Sequence, residues 1–212
     1  MITPNGRRVY VLDVSFETVS VINTQSNRVI ATIPVGGLPE NIVITPNGRR
    51  VYVTNNGSNT VSVISTESNR VIATIPVGKP VEDVSYTKVI AITPNGKRVY
   101  VVNSYSGAIS VISTESNRVI ATVSVGRRPG DMEITSNGRR VYVVNNLSNT
   151  VSVINMQSNR VIDTIPVGKV PVGIAFTRTR LSRSLVKGRK KVVRLSRPLI
   201  KRHKGLYSPF MK

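Results

Sequence analysis

The chain of 212 residues contains no cysteine and no tryptophan, and its one histidine is His203. Without thiols it can form neither a disulfide nor a thiolate metal site, and this lack fits either redox compartment. A lone imidazole builds no His-based triad and no histidine metal cluster, and it offers little to haem or quinone chemistry. Acids are also scarce: 10 Asp and Glu stand against 30 Lys and Arg, giving a formal net charge of +20. No stretch approaches the roughly 18 apolar residues of a membrane-spanning helix, and Met1-Ile2-Thr3-Pro4 does not read as a signal peptide. These absences lead to the expectation of a protein that is not an enzyme, with no catalytic residues, no metal and no cofactor.

What the chain has is repetition. The words ITPNGRRVYVTNNGSNTVSVISTESNRVIATIPVG, from Ile44 to Gly78, recur in close form from Ile2, Ile92 and Ile134. The Asn-Gly pairs at Asn5, Asn47, Asn95 and Asn137 are therefore spaced by 42, 48 and 42 residues. A fixed period in this range signals a solenoid, propeller or array. Within each repeat the apolar residues alternate with period 2. In the second repeat this predicts strand A over Asn41–Ile44, B over Arg50–Thr54, C over Thr60–Ile64 and D over Arg70–Val77. Pro-Asn-Gly between A and B sets the φ values of a tight turn. Strand B is apolar on both faces, with Val51 and Val53 on one and Tyr52 on the other, so each sheet needs neighbours above and below. The expectation is an all-β propeller of four-stranded antiparallel blades, residues 1–177, followed by a basic irregular tail, residues 178–212.

The tetrapeptide Tyr52-Val53-Thr54-Asn55, with variants at Tyr10, Tyr100 and Tyr142, resembles the YVTN family of β-propeller repeats. That resemblance implies a propeller, often of seven blades, common in bacterial and archaeal surface and periplasmic proteins. It implies no single reaction and carries no catalytic residues. The strand count leaves two arrangements open. An A-like strand at Pro171–Phe176 could pair with the first B-C-D set and close a four-blade ring. Otherwise the chain is an open arc of a larger propeller, with bare end blades through which copies could associate.

Charge falls on two faces. The A–B turns carry Arg7, Arg8, Arg49, Arg50, Lys97, Arg98, Arg139 and Arg140, and the C–D turns add Arg28, Arg70, Arg118 and Arg160. Such a rim would attract a polyanion; solvated turn charge copied with the repeat is the alternative. Glu40, Glu82, Asp83 and Asp131 follow the D–A prolines on the other face, where the repeats differ, and could form a ligand site at the channel mouth or pair locally. The third repeat also has an extra segment near Glu82–Lys88, read as a bulge or loop. The tail holds 13 of the 30 cations and no acid. It reads as an arm for nucleic acid or an anionic surface, or as the product of a frameshift, since Thr177-Arg178-Thr179 replaces an expected Thr-Pro-Asn. The function expected is a binding scaffold for a protein or an anionic polymer at the cell surface. Polyanion or nucleic-acid binding and an inactive propeller remnant are the alternatives.

Overall fold

The computed structural model describes residues 1–78 and 89–176. Among these residues there are fifteen strands and no helix. The first blade is β1 (Arg8–Asp13), β2 (Thr18–Asn23) and β3 (Arg28–Pro34). The second is β4 (Pro39–Ile44), β5 (Arg50–Asn55), β6 (Thr60–Ser65) and β7 (Arg70–Pro76). The third is β8 (Ile90–Ile92), β9 (Arg98–Asn103), β10 (Ala108–Ser113) and β11 (Arg118–Ser124). The fourth is β12 (Pro129–Ile134), β13 (Arg140–Asn145), β14 (Thr150–Asn155) and β15 (Arg160–Pro166). Each blade is an antiparallel meander, and the strands of consecutive blades stack innermost on innermost and outermost on outermost.

The A–B turn shows why these residues recur. Thr45 Oγ1 donates to Asn47 Oδ1 at 2.7 Å, Asn47 Oδ1 accepts from Arg49 N at 3.0 Å, and Gly48 N donates to Thr45 O at 2.8 Å. Gly48 itself has φ +70, a left-handed conformation that favours a residue without Cβ. Threonine, asparagine and glycine thus close one turn together, and the same bonds recur around Thr3, Thr93 and Thr135.

Strand D departs from simple alternation. Val63 pairs with Ala73 and Ile64 with Val71, so Ile72 is extruded as a β-bulge. Ile30, Ile120 and Ile162 are skipped in the same way, and all four isoleucines are exposed. A bulge on each outermost strand twists its open edge and discourages pairing with other chains.

Between blades the two-faced strand B is covered as expected. At the joint between the second and third blades, Tyr52, Val61, Val63 and Ile75 pack against Ile90, Val99, Val101 and Ile112. Equivalent residues fill the other two joints. The end blades lack this cover. Ile165 is 39% exposed where its equivalent Ile75 is 3% exposed, and Val11 is 44% exposed where Val53 is fully buried.

The four-blade ring does not form, and the chain is a partial arc. The first sheet keeps three strands, edged only by Met1–Thr3 through the Ile2–Val9 bridge. Pro171–Phe176 lies instead against the fourth blade. Ile174 N donates to Asp131 Oδ2 at 3.0 Å, Asn146 Nδ2 donates to Pro171 O at 2.5 Å, and Phe176 meets the Tyr142 ring edge-on at 5.2 Å. This is where the innermost strand of a fifth blade belongs. The expected extra segment at Glu82–Lys88 and the tail lie outside the described residues.

Candidate functional site

Strand direction places the A–B and C–D turns of each blade on one face, as the sequence predicts. Thr66 N donates to Arg49 O at 3.0 Å, and Thr66 Oγ1 to Gly48 O at 2.7 Å, tying the two turns of the second blade together. Of the twelve cations assigned to this rim, Arg7, Arg28, Arg49, Arg70, Lys97, Arg118, Arg139 and Arg160 are exposed. Arg8, Arg50 and Arg98 are half-buried and have another task. Each reaches across a joint to the C–D turn of the next blade. Arg50 Nη1 donates to Thr114 O and, at 3.2 Å, to Asn117 Oδ1. Arg8 does the same to Thr66 O and Asn69 Oδ1, and Arg98 to Met156 O and Asn159 Oδ1. Arg140 is their equivalent on the fourth blade and is exposed.

The strut was not recognised from sequence, yet a signal for it is present. The first cation of the turn is Lys97 in one repeat, whereas the second is arginine in all four. Its acceptor is asparagine in all four C–D turns. A planar guanidinium that bridges a carbonyl and an amide oxygen has no lysine substitute.

Beneath each strut lies a tyrosine. Tyr52 Oη donates to Asn117 Oδ1 at 3.3 Å and Tyr100 Oη to Asn159 Oδ1 at 3.4 Å. Burial pushes the phenols of Tyr10, Tyr52 and Tyr100 above their ordinary value of 10.0, with the neighbouring arginine acting in opposition. A raised folded value means that the folded state keeps the proton longer than the unfolded chain. The stabilisation is therefore complete below about pH 10 and is lost as pH rises through the folded value. We expect the urea midpoint to fall steeply above about pH 10, and to fall less steeply in Tyr52→Phe. Identical alkaline slopes in the two proteins would refute the assignment.

On the opposite face the B–C turns meet the D–A connections. Asn55 and Asn145, buried, donate through Nδ2 to Ser62 and Ser152 Oγ at 2.9 Å and to Thr60 and Thr150 Oγ1 at 3.0 Å. These bonds rigidify the hairpins, which the sequence shows only as Asn-rich turns. The D–A connection runs so close that a Cβ on Gly126 would lie 2.6 Å from Asn145.

Of the expected channel-mouth carboxylates, Glu40 and Asp131 lie in different blades. Glu40 lies on β4 and accepts a hydrogen bond from Asn56 Nδ2 in its own blade. Asp131 lies on β12, two blades away, with Oδ1 accepting from Met132 N at 2.8 Å and Oδ2 from Ile174 N. The registers differ too: Asp131 pairs with Val144 as Asn41 pairs with Thr54, while Glu40 occupies the bulge that Gly130 fills in the fourth blade. Glu82 and Asp83 lie outside the described residues. Among the described residues no three His, Cys, Asp or Glu come together to hold a metal ion.

What this face does offer is a cleft of about 450 Å³ between the third and fourth blades, walled by Ser104, Tyr105, Ser106, Arg127, Arg128 and Leu147. Ser104 Oγ donates to Pro129 O at 2.5 Å and Arg127 N to Ser148 Oγ at 2.7 Å, bracing the cleft on both sides. Its side chains are the ones that change between repeats. Tyr105 stands where the other repeats have Ser15, Gly57 and Leu147, and Arg127-Arg128 where the second has Gly37-Leu38.

Solved structures with this architecture include hydrazine synthase of Kuenenia stuttgartiensis, at 25% identity and TM-score 0.68, covering 77% of this chain and 47% of that one. A functionally unknown protein of Desulfotomaculum acetoxidans is 22% identical with TM-score 0.70, covering 84% and 58%. A proposed 6-phosphogluconolactonase of Bacteroides fragilis is 20% identical with TM-score 0.68, covering 84% and 56%. The last two likenesses are of fold alone. The chain spans about half the length of these structures. No curated protein matches it. The family model that matches, over residues 1–164, is described as lactonase, 7-bladed beta-propeller. This overturns the expectation of a non-enzymatic scaffold. That expectation rested on missing His and Cys, and an enzyme family built on this fold shows the inference to be unsound. The chain belongs to the seven-bladed β-propeller lactonase family.

Proposed function

We propose that this chain forms part of an enzyme that opens lactone rings, and that the cleft between the third and fourth blades receives the substrate. The observation that carries the reading is the family match over residues 1–164. Hydrolysis of a cyclic ester joins water to the carbonyl carbon, passes through an oxyanion, and breaks the ring C–O bond to leave a hydroxy acid. It requires a base for the water proton and positive charge for the oxyanion, and neither must be His or Cys. Arg127 and Arg128 supply positive charge to an anionic sugar acid or its phosphate ester. The cleft volume falls within the range of about 300–1,000 Å³ usual for small-molecule sites. The repeats themselves we read as YVTN-type blades, on the tetrapeptides at Tyr10, Tyr52, Tyr100 and Tyr142.

The test is acid release followed by pH-stat from a six-carbon sugar δ-lactone and its phosphate ester, using the full chain. The expected result is release above the spontaneous rate, reduced at least about tenfold when Arg127 and Arg128 are both replaced by alanine. Arg127→Ala should raise KM more for the phosphorylated substrate than for the neutral one. Release at the spontaneous rate from a folded chain would overturn the reading.

A further inference from the structure

Left-handed backbone follows a rule along this chain, and one set of positions breaks it. Among the described residues ten that are not glycine have positive φ, and six of them are asparagines, which tolerate this conformation well. The A–B turns use glycine itself, at Gly6, Gly48, Gly96 and Gly138. Glu17 takes the hairpin position of Asn59 and Asn149. The other three stand directly before a D–A proline: Leu38 has φ 49, Arg128 φ 50 and Val170 φ 49. Proline disfavours helical backbone in the residue before it, and a bulky side chain adds to the cost of positive φ.

Hydrogen bonds to the B–C turn of the same blade hold the backbone there. Leu38 O accepts from Asn56 N at 2.9 Å and Arg128 O from Asn146 N at 3.0 Å. In the fourth blade the preceding residue is fixed as well, with Arg127 O accepting from Leu147 N at 3.2 Å and Arg127 N donating to Ser148 Oγ at 2.7 Å. All these bonds use main-chain atoms of the connection, so glycine or asparagine at position 128 would keep them with less strain. A strained conformation kept where a cheaper residue would serve points to the side chain. Its surroundings decide where that side chain goes. In the second blade Leu38 lies over Gly57, so close that a Cβ on Gly57 would sit 3.2 Å from Leu38 Cγ. The fourth blade has Leu147 at the position of Gly57, and its Cβ takes that space. Arg128 lines the cleft between the third and fourth blades instead, with Tyr105 and Leu147 among its other walls. One backbone device thus carries an apolar cover at one joint and a guanidinium at another.

We propose that Arg128 is the specificity-determining residue of this cleft, and that its left-handed backbone is kept because it presents the guanidinium to the anionic group of the substrate. For the identity of that substrate the proposal rests on the lactone reading. A planar guanidinium meets a carboxylate or a phosphate through two parallel hydrogen bonds. A side chain rooted on backbone that is already fixed loses less freedom on binding than one on a mobile loop. Arg127 adds charge to the same cleft without this constraint, since its φ is not positive.

The test compares Arg128→Ala with Arg128→Gly in the full chain, because both remove the side chain and only glycine relieves the backbone. Calorimetric titration measures binding of the hydroxy acids formed from a six-carbon sugar δ-lactone and from its phosphate ester, and urea unfolding measures stability. Both variants should bind each acid at least about tenfold more weakly than the unmodified chain. Arg139→Ala, which removes the same charge from the exposed rim on the opposite face, should bind as the unmodified chain does. Arg128→Gly should unfold at a higher urea concentration than Arg128→Ala, the reverse of the usual order for these two residues. Undiminished binding in Arg128→Ala, an equal loss in Arg139→Ala, or a glycine variant no more stable than the alanine variant would overturn the proposal. An unmodified chain that opens the lactones yet binds neither acid overturns it too and leaves the lactone reading standing. A chain that neither binds the acids nor opens the lactones fails both.

Discussion

Replacing Arg50 with alanine lowers the free energy of unfolding by about 2–3 kcal/mol, and the same replacement at Arg140 costs less than about 0.5 kcal/mol, both measured in urea at concentrations where the chain is a single copy. The two residues occupy one position in one repeated turn and differ only in what lies beyond them. Arg50 donates to Thr114 O and Asn117 Oδ1 across the joint, and its half-buried stem covers apolar surface between the blades. Its removal leaves the Thr114 carbonyl without its charged donor, and hydrogen bonds from charged groups are worth about 1.5–3 kcal/mol. Asn117 also receives Tyr52 Oη, so that bond loses its neighbour as well. Arg50→Lys should recover little, because the lysine stem is shorter and ends in a strongly hydrated ammonium that does not fill the half-buried joint as the flat guanidinium does. Equal losses at the two positions would mean that the strut contributes nothing and that turn charge alone is being measured.

The contrast shows which parts of this fold could be read from sequence. Strand placement could be, because period 2 and the turn residues act locally. Strands expected over Arg50–Thr54, Thr60–Ile64 and Arg70–Val77 are found over Arg50–Asn55, Thr60–Ser65 and Arg70–Pro76. The need for stacked neighbours was legible in the apolar faces of Val51 and Tyr52. Ring closure was not, since it depends on the angle accumulated over many joints, and the spare strand at Pro171–Phe176 suits either outcome on paper. The rim was legible as charge and illegible as function. Arg49 and Arg50 are neighbours in sequence, but one faces solvent and the other enters a joint, and only the tertiary register separates them. The channel-mouth acids illustrate a different obstacle. Glu40 lies one residue past its proline and Asp131 two, so the same bulge takes up Glu40 and leaves Asp131 on the ladder, each with a different partner. The absence of imidazole and thiol was given too much weight as evidence against an enzyme, because carboxylate and guanidinium can serve hydrolysis.

Ile75→Ala should cost about 2–5 kcal/mol, while Ile165→Ala should cost only about 1 kcal/mol under the same conditions. Both are isoleucines of the same Thr-Ile-Pro word on outer strands, paired respectively with Val61 and Val151. Ile75 is buried in the cluster that joins the second blade to the third, so truncation removes its burial and leaves a cavity that the paired sheets cannot collapse into. Ile165 lies at the open end of the arc, and truncation there removes surface that was already partly wet. In a stack where each blade touches only its neighbours, stability is roughly a sum over joints. Among the described residues the fourth blade has one joint where the second has two. Amide exchange should therefore be faster in β14 than in β6, although the two strands are nearly identical in sequence. If the difference is absent even in dilute solution, the fourth blade is covered by something in its own chain, and the open arc is wrong.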